Sequence, residues 1–304
     1  MSAPELLFIT GKGGVGKTTI AAALGRRVAQ EGRRTLIVEL GADRSLATLF
    51  GKRDLRHEAA PLAPRLFGVR VEPRALVEGY FNRLLRLSFL SRRLFASATF
   101  NAITAAAPGV TEFLVLENLL QWLDSGLLTR RRYDLIIVDG PASGHAVRLL
   151  RTPRTIATMV PGGPIGSTAR KLLGLLADHQ RTRVLLVTIP DEMAVNETVE
   201  VHEALASGLA LNLTRPVLNR VFPRRFSREE CQAVDAFLAT HGPDPLLSAA
   251  RLQICARHDA ERHLSRLRRA FGCFPIGVRQ VCADRVRHSD LDQIGRPLAR
   301  ALFS

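Results

Sequence analysis

Short apolar runs alternate along the chain with segments in which apolar residues recur at helical spacing. Uninterrupted apolar runs bounded by turn residues predict buried strands. Strands are predicted at Leu6–Thr10, Thr35–Glu39, Leu66–Val71, Tyr133–Asp139, Val184–Ile189, Pro216–Phe222 and Cys273–Ile276. Helices are predicted at 19–32, 192–208, 227–240, 251–270 and 290–302, and a further one opens at 145–150. This alternation predicts a doubly wound α/β fold around a mainly parallel sheet.

The pattern changes between residues 75 and 130, where no strand is predicted. Phe and Leu residues recur there at helical spacing, and Pro108-Gly109 interrupts the run. Because no repeat or low-complexity linker divides the chain, we interpret residues 1–304 as a single domain and 75–130 as a helical insertion within it. The apolar stripe of the insertion belongs either to the core or to a surface for a hydrophobic protein client or partner.

The first strand leads into a glycine-rich loop. Residues 11–18 fit the phosphate-loop pattern G-x-x-x-x-G-K-[ST], and a helix follows directly. Glycines let backbone N–H groups approach a polyphosphate closely. We expect Lys17 to neutralise the β- and γ-phosphates of ATP and Thr18 to hold Mg²⁺ through its hydroxyl. The predicted nucleotide-contacting residues of the loop are Gly11, Gly13, Gly14, Val15, Gly16, Lys17, Thr18 and Thr19.

Two later strands carry polar residues on the predicted ligand side. Asp139 is placed to hold Mg²⁺ opposite the loop, and the GPASG segment at 140–144 follows as a loop able to respond to the γ-phosphate. Asn219 lies where the predicted strand Pro216–Phe222 emerges on the ligand side, and its amide can pair with adenine. His145 is either a reporter of nucleotide state or a structural residue.

Composition narrows the choice of partners and compartment. The net charge of +15 permits an anionic partner, but the basic residues are scattered, so nucleic acid is the minor interpretation. The four cysteines form no C-x-x-C pair, which favours reduced thiols over zinc or disulfide sites. No apolar stretch has the roughly 18 residues that span a bilayer, and no signal-peptide pattern is visible. We therefore expect a cytoplasmic protein, with peripheral membrane association left open.

Lys12 directly follows the first glycine, and this second lysine has no role in the ordinary motif. The loop GKGGVGKTT resembles the deviant Walker A loop of the nitrogenase-iron-protein, septum-positioning and arsenite-pump ATPases. The alternative for Lys12 is a solvated surface lysine. Further segments, among them PGVTEFLVLENLL at 108–120, VDGPASGHAVRLLRTP at 138–153 and VLNRVFP at 217–223, are similar to the arsenite-pump and tail-anchored-protein-targeting ATPase family. The similarity runs from about residue 5 to 223.

The resemblance implies a two-fold dimer that encloses two ATP molecules and closes when ATP binds. It places Lys12 against the nucleotide of the facing subunit, and Lys17 and Thr18 against the nucleotide of their own subunit. It also places Asp139 near Mg²⁺ and Asn219 at the adenine base. The partner is a second copy or a related ATPase subunit.

One position departs from the family pattern. The first switch normally reads D-P-A-x-S-L, and alignment on Ser45-Leu46 puts Gly41 where the water-orienting aspartate belongs. Glu39 or Asp43 are the candidate substitutes, and without one hydrolysis is expected to be slow. This predicts that the chain pairs with a subunit that carries a complete switch.

Three functional hypotheses follow. The leading one is a Mg-ATP-dependent dimeric ATPase whose cycle opens and closes a helical client- or partner-binding surface, for example in membrane-protein targeting. The alternative is a partition- or septum-type positioning ATPase that binds DNA or a membrane surface. A third is a poorly hydrolysing regulatory subunit. An arsenite or other anion pump is less favoured, because no cysteine cluster resembles the metalloid site.

Overall fold

The computed structural model describes residues 4–40, 45–72, 75–76, 79, 109–123, 132–283 and 285–303. The strands are β1 (Leu6–Thr10), β2 (Thr35–Glu39), β3 (Ala60–Ala63), β4 (Leu66–Arg70), β5 (Leu135–Asp139), β6 (Thr182–Thr188), β7 (Val217–Val221) and β8 (Ile276–Arg279). The helices are α1 (Lys17–Gln30), α2 (Ser45–Leu49), α3 (Val110–Leu123), α4 (Ser143–Met159), α5 (Gly163–Ala177), α6 (Glu192–Ala206), α7 (Arg228–His241), α8 (Pro245–Phe271) and α9 (His288–Phe303).

The strands of the described part form a mainly parallel sheet in the order β3-β4-β2-β5-β1-β6-β7-β8. The pairs are parallel except for β3, which runs antiparallel to β4 at the edge. Every residue of β1, β2, β5 and β6 is buried, because helices cover both faces. Helices α1, α2 and α9 pack on one face and α3 to α6 on the other. This confirms the predicted α/β fold.

Three predictions from the sequence are wrong or incomplete. The last strand is β8, which begins at Ile276 rather than spanning Cys273–Ile276. Helix α8 begins earlier than residue 251, because Asp244 caps its start by accepting a hydrogen bond from Leu247 N and a proline follows at the first turn. Strand β3 and helices α2 and α5 are not predicted at all.

Helix α3 is the part of the predicted insertion that the structure describes beyond 75–76 and 79. Its apolar residues pack into the core with α4 and α5, which supports the core interpretation for this helix. The rest of the 75–130 insertion lies outside the described residues, so the insertion and the single-domain interpretation stay predictions. None of the described helices has the length and apolar character needed to span a membrane.

Candidate nucleotide site

The glycine loop is shaped by contacts that leave no room for side chains at two positions. Gly11 has φ +148°, and a Cβ there would lie 2.0 Å from the carbonyl oxygen of Val187. Gly16 has φ +92°, and a Cβ there would lie 2.5 Å from Asn219 Nδ2. Around Gly13, in contrast, no atom lies within 4 Å of an added Cβ. The loop is therefore packed against the protein at its ends and open on the side of the cleft.

Helix α1 begins at Lys17, so its first N–H groups and the positive end of its dipole lie at the loop. Lys17 Nζ donates hydrogen bonds of 3.1 Å to the carbonyl oxygens of Gly11 and Lys12. These bonds hold the ammonium group over the loop. Val15 is fully buried and anchors the loop in the core. The arrangement concentrates positive charge and N–H donors in the way that a polyphosphate requires.

Asn219 braces the loop from the side. Its Nδ2 donates a 2.9 Å hydrogen bond to Val15 O, and its Oδ1 accepts one of 2.9 Å from Arg220 N. The side chain is buried in the middle of β7, where the strand changes register and Arg220 has φ +58°. The sequence does not predict this bracing role. The predicted contact with adenine stays a prediction.

Two buried carboxylates face the loop from neighbouring strands. Glu39 and Asp139 are register partners at the ends of β2 and β5 and are 3% and 5% exposed. Glu39 Oε1 accepts a 3.0 Å hydrogen bond from Leu46 N and so holds the start of α2. Asp43, the other candidate substitute in the first switch, lies outside the described residues.

The loop, α2 and the segment at 140–144, which we call the second switch, line one cleft of about 820 Å³. Of the predicted site residues, the cleft brings together Gly13, Gly14, Gly16, Lys17, Thr18, Thr19, Glu39 and Asp139. Gly11, Lys12, Val15 and Asn219 do not line it. Ser45 and Thr48 of α2 line the cleft without having been predicted, because a five-residue helix leaves no periodic signal. The only sequence cue was the Ser45-Leu46 pair used to align the first switch.

The second switch is tied to the end of β1 on one side and continues on the other side into α4, which pairs with α3. Thr10 Oγ1 donates a 3.0 Å hydrogen bond to Pro141 O, and Gly140 N donates to Ile9 O at 2.9 Å. One turn into α4, an Arg148 guanidinium nitrogen lies 3.0 Å from His145 Nδ1. Arg148 Nε also pairs with Glu112 of α3 at 2.7 Å. The switch is thus connected to the described helix of the insertion.

The donor set fits a magnesium nucleotide. Thr18 supplies a hydroxyl and Asp139 a carboxylate in the same cleft, and oxygen donors of this kind suit Mg²⁺. The space on the open side of Gly13 suits a phosphate group. Within the described residues, no group of three or more His, Cys, Asp or Glu side chains could hold a metal ion, and the four cysteines are free thiols.

Comparison with known proteins agrees with this geometry. The model of the ArsA family, described as anion-transporting ATPase, matches residues 4–161. The chain belongs to this family. It is 30% identical over 238 residues to ATPase BagA of Mycobacterium tuberculosis, covering 76% of this chain and 69% of that protein. It is 29% identical over 238 residues to an arsenical pump-driving ATPase of Escherichia coli, covering 73% of this chain and 40% of that protein.

A third relative, an arsenical pump-driving ATPase of Acidiphilium multivorum, is 28% identical over 249 residues, covering 76% of this chain and 42% of that protein. Membership confirms the resemblance seen in the sequence, the P-loop fold and the assignment of the chain as a nucleotide-binding ATPase. Since the family match includes the glycine loop, the cleft is the candidate site for the nucleotide of this ATPase.

Proposed function

We propose that this ATPase works as a Mg-ATP-dependent dimer whose nucleotide cycle controls a protein-binding surface on the helical insertion, and that it hydrolyses ATP slowly as one subunit of a pair. The proposal rests on a contrast between the cleft, which the structure describes, and the sequence of the first switch, in which Gly41 lies outside the described residues. The glycine loop, Lys17, Thr18 and Asp139 form a full set for binding. The first switch, however, has Gly41 where the family has its water-orienting aspartate.

Different residues of the cleft bind the phosphates and the Mg²⁺ ion of the nucleotide. Lys17 and the N–H groups at the start of α1 neutralise the phosphates, while the glycines admit them to the backbone. Thr18 and Asp139 hold Mg²⁺, which when bound neutralises charge on the β- and γ-phosphate oxygens. Glu39 is the described carboxylate best placed to orient a water molecule, although one of its oxygens already holds α2. A carboxylate that accepts a hydrogen bond from Leu46 N is less free to orient a water molecule, which favours slow ATP hydrolysis.

The proposal of a dimer is supported by the position of Lys12. Its carbonyl oxygen accepts from Lys17, whereas the residue does not line the cleft of its own chain. A lysine at this position that serves its own nucleotide would be expected among the cleft residues. Its place in the loop therefore supports a role toward the nucleotide of a facing subunit.

The switch contacts support control of the insertion. Pro141 is tied to β1 through Thr10, and Arg148 is tied to Glu112. A change at the γ-phosphate that moves the segment at 140–144 is passed to α4 and from there to α3. Because the apolar residues of α3 are core, the proposed client- or partner-binding surface belongs to the other residues of the insertion.

The experiment measures molar mass by light scattering with Mg and a slowly hydrolysed ATP analogue, with ADP, and without nucleotide. The full chain is expected to double its mass with the analogue only, alone or after mixing with a paralogous ATPase from the same cell. Lys12→Ala should bind the analogue about as tightly as the parent chain but stay monomeric. Lys52→Ala, which removes an exposed lysine away from the cleft, is the matched control. A Lys12→Ala chain that still dimerises refutes the role of Lys12, and a monomer in every mixture refutes the dimer.

A further inference from the structure

A second cavity lies on the opposite face of the sheet from α1. It has a volume of about 680 Å³ and lies between α8 and the ends of β7 and β8. Four arginines line it, and we call it the arginine groove: Arg224, Arg257, Arg268 and Arg279. It shares no lining residue with the nucleotide cleft. Helix α8 packs against β7 through the buried residues Ala260 and Leu267, so the wall that it forms is anchored in the core.

The positive charge of the groove is largely uncompensated. Glu261 is the one acidic residue in its lining, and it already pairs with Arg257 at 2.9 Å. Arg257 also donates to Phe222 O at 3.3 Å, so this pair shapes the wall. No ion pair joins Arg224, Arg268 or Arg279 to a carboxylate within the part of the chain that the structure describes. Three guanidinium groups therefore face one groove without a counter-charge.

The groove continues past Arg224. A neighbouring cavity of about 350 Å³ shares Arg224 and Arg257 with it and adds Arg225, Arg228 and His258. The acidic residue that this extension adds, Asp235, pairs with Arg251 at 3.3 Å. The basic lining is thus elongated rather than confined to one point, which suits a chain of anionic groups.

One guanidinium is held in place by an aromatic ring. Arg268 Cζ lies 3.9 Å from the ring centroid of Phe274, which is 60% exposed. The carbonyl oxygen of Phe274 in turn accepts a 2.8 Å hydrogen bond from Arg215 Nε. Stacking restricts a guanidinium without using its N–H donors, so less entropy is lost when those donors bind a ligand.

We propose that the arginine groove binds a chain of phosphate groups, either inorganic polyphosphate or the backbone of a single-stranded nucleic acid. The planar fork of arginine matches phosphate oxygens in pairs, and three uncompensated guanidinium groups match a run of phosphates better than a single anion. The volume lies in the range of roughly 300–1,000 Å³ that ligand sites occupy.

The test uses the full chain with its nucleotide cleft filled by Mg-ADP. Tripolyphosphate is titrated by calorimetry, and a fluorescein-labelled single-stranded oligothymidylate by anisotropy, each at two salt concentrations. Saturable binding that weakens with salt is expected for at least one probe. Arg224→Ala with Arg279→Ala should weaken binding about tenfold or more, because two guanidinium groups that bind phosphate are removed. The fold should be unaffected, because among the described residues neither arginine forms an ion pair with a carboxylate. Arg296→Ala with Arg300→Ala removes the same charge from exposed positions of α9 and should change affinity less than about twofold.

The two probes separate the two sources of phosphate. Binding of tripolyphosphate alone assigns an inorganic ligand, binding of the oligonucleotide alone assigns nucleic acid, and binding of both assigns recognition of the phosphate chain itself. Arg224→Lys with Arg279→Lys keeps the charge and should still lose affinity, since lysine lacks the paired donors. The proposal is overturned if neither probe saturates, or if the α9 double variant loses as much affinity as the groove variant.

Discussion

Asn219 Nδ2 donates a 2.9 Å hydrogen bond to the carbonyl oxygen of Val15, so strand β7 holds the phosphate loop in place. The two residues lie 204 positions apart, and this contact joins β7 to the glycine loop of the candidate nucleotide site. The amide is also packed against Gly16, where an added Cβ would lie 2.5 Å from Nδ2 and a positive φ of +92° disfavours other residues. The brace therefore couples the conformation of the loop to the strand that is predicted to contact adenine.

Asn219→Ala should weaken ATP binding roughly fivefold, since a lost neutral hydrogen bond costs about 1 kcal/mol. Affinities for ATP and GTP measured side by side separate the two roles of the residue. If Asn219 only braces the loop, both affinities fall together; if it also pairs with adenine, the preference for ATP is lost. Asn212→Ala removes an exposed amide that bonds His179 O and should leave both affinities unchanged. Unchanged ATP binding in Asn219→Ala would contradict both roles.

Gly13→Ala should separate binding from folding. A Cβ at Gly13 meets no atom within 4 Å and its φ is not positive, so the thermal midpoint should hardly move. The methyl group would occupy space on the cleft side, where the phosphates are expected, and ATP affinity should fall by about tenfold or more. Gly174→Ala on α5 also adds a methyl group in open space and serves as the control. Full ATP affinity in Gly13→Ala would place the phosphates elsewhere.

The sequence predicts the parts of this fold in which local pattern and burial agree. Strands β1, β2 and β5 are continuous apolar runs because both of their faces are buried. Strand β3 has one buried residue, Leu62, and so leaves no apolar run to detect. Helix α5 contains three glycines, and the burial of Leu172, Leu175 and Leu176 overrides its weak helix propensity.

In the candidate nucleotide site, too, only features set by contiguous residues can be predicted from the sequence. The glycine loop is visible in the sequence because its residues are contiguous and each type is dictated by close approach to phosphate. The brace from Asn219 and the bond from Glu39 to Leu46 depend on the folded chain and on which atoms meet there. The arginine groove likewise combines β7, β8 and α8, whose arginines look scattered along the sequence.

Gly41→Asp should raise ATP turnover about 10²-fold if the missing carboxylate limits hydrolysis. The measurement is kcat with saturating Mg-ATP, alongside the affinity for a slowly hydrolysed analogue, which should not change. Gly41→Ala controls for the change in backbone freedom and should give no gain. Brisk turnover in the parent chain that Gly41→Asp fails to increase would show that another residue already orients the water.

Glu39→Gln tests whether Glu39 is the residue that orients the attacking water. Glutamine keeps an oxygen for the hydrogen bond from Leu46 N, so α2 should stay in place. If Glu39 orients the water, kcat should fall about tenfold to a hundredfold while analogue affinity is retained. An unchanged kcat would remove Glu39 from the reaction and leave Asp43 as the remaining candidate.

The ion pair between Arg148 and Glu112 should carry the nucleotide response to α3. Its Nε to Oε1 distance is 2.7 Å, and Glu112 is more enclosed than Arg148. Hydrogen exchange of 110–123 should slow when the ATP analogue binds, and Glu112→Gln should reduce that change. Exchanging the charges, Glu112→Arg with Arg148→Glu, should restore part of it. The control is Arg151→Gln, which removes another cation of α4. The guanidinium of Arg151 donates a hydrogen bond to Ala204 O of α6. An undiminished response in Glu112→Gln would exclude this route.

Asp292 should stabilise the contact between α1 and α9 in a pH-dependent way. The hydrogen bond from Arg26 is the main cause that lowers the pKa of Asp292; Gln30 and the charges of Arg26 and His288 add to it, and partial burial opposes it. Because the folded pKa is depressed, the stabilisation is fully present above the ordinary aspartate pKa of about 3.9 and is lost as pH falls through the lower folded value.

Asp292→Asn should therefore lower the free energy of unfolding at pH 7, by up to about 1 kcal/mol for a partly exposed pair. Urea unfolding measured from pH 7 downward should show the stabilities of the two chains converging only in acid below the ordinary aspartate pKa of about 3.9. Asp259→Asn removes the carboxylate of an exposed ion pair with Arg262 within α8 and should cost less. A difference between Asp292→Asn and the parent chain that persists undiminished in acid would mean that the side chain acts through packing, and not through its charge.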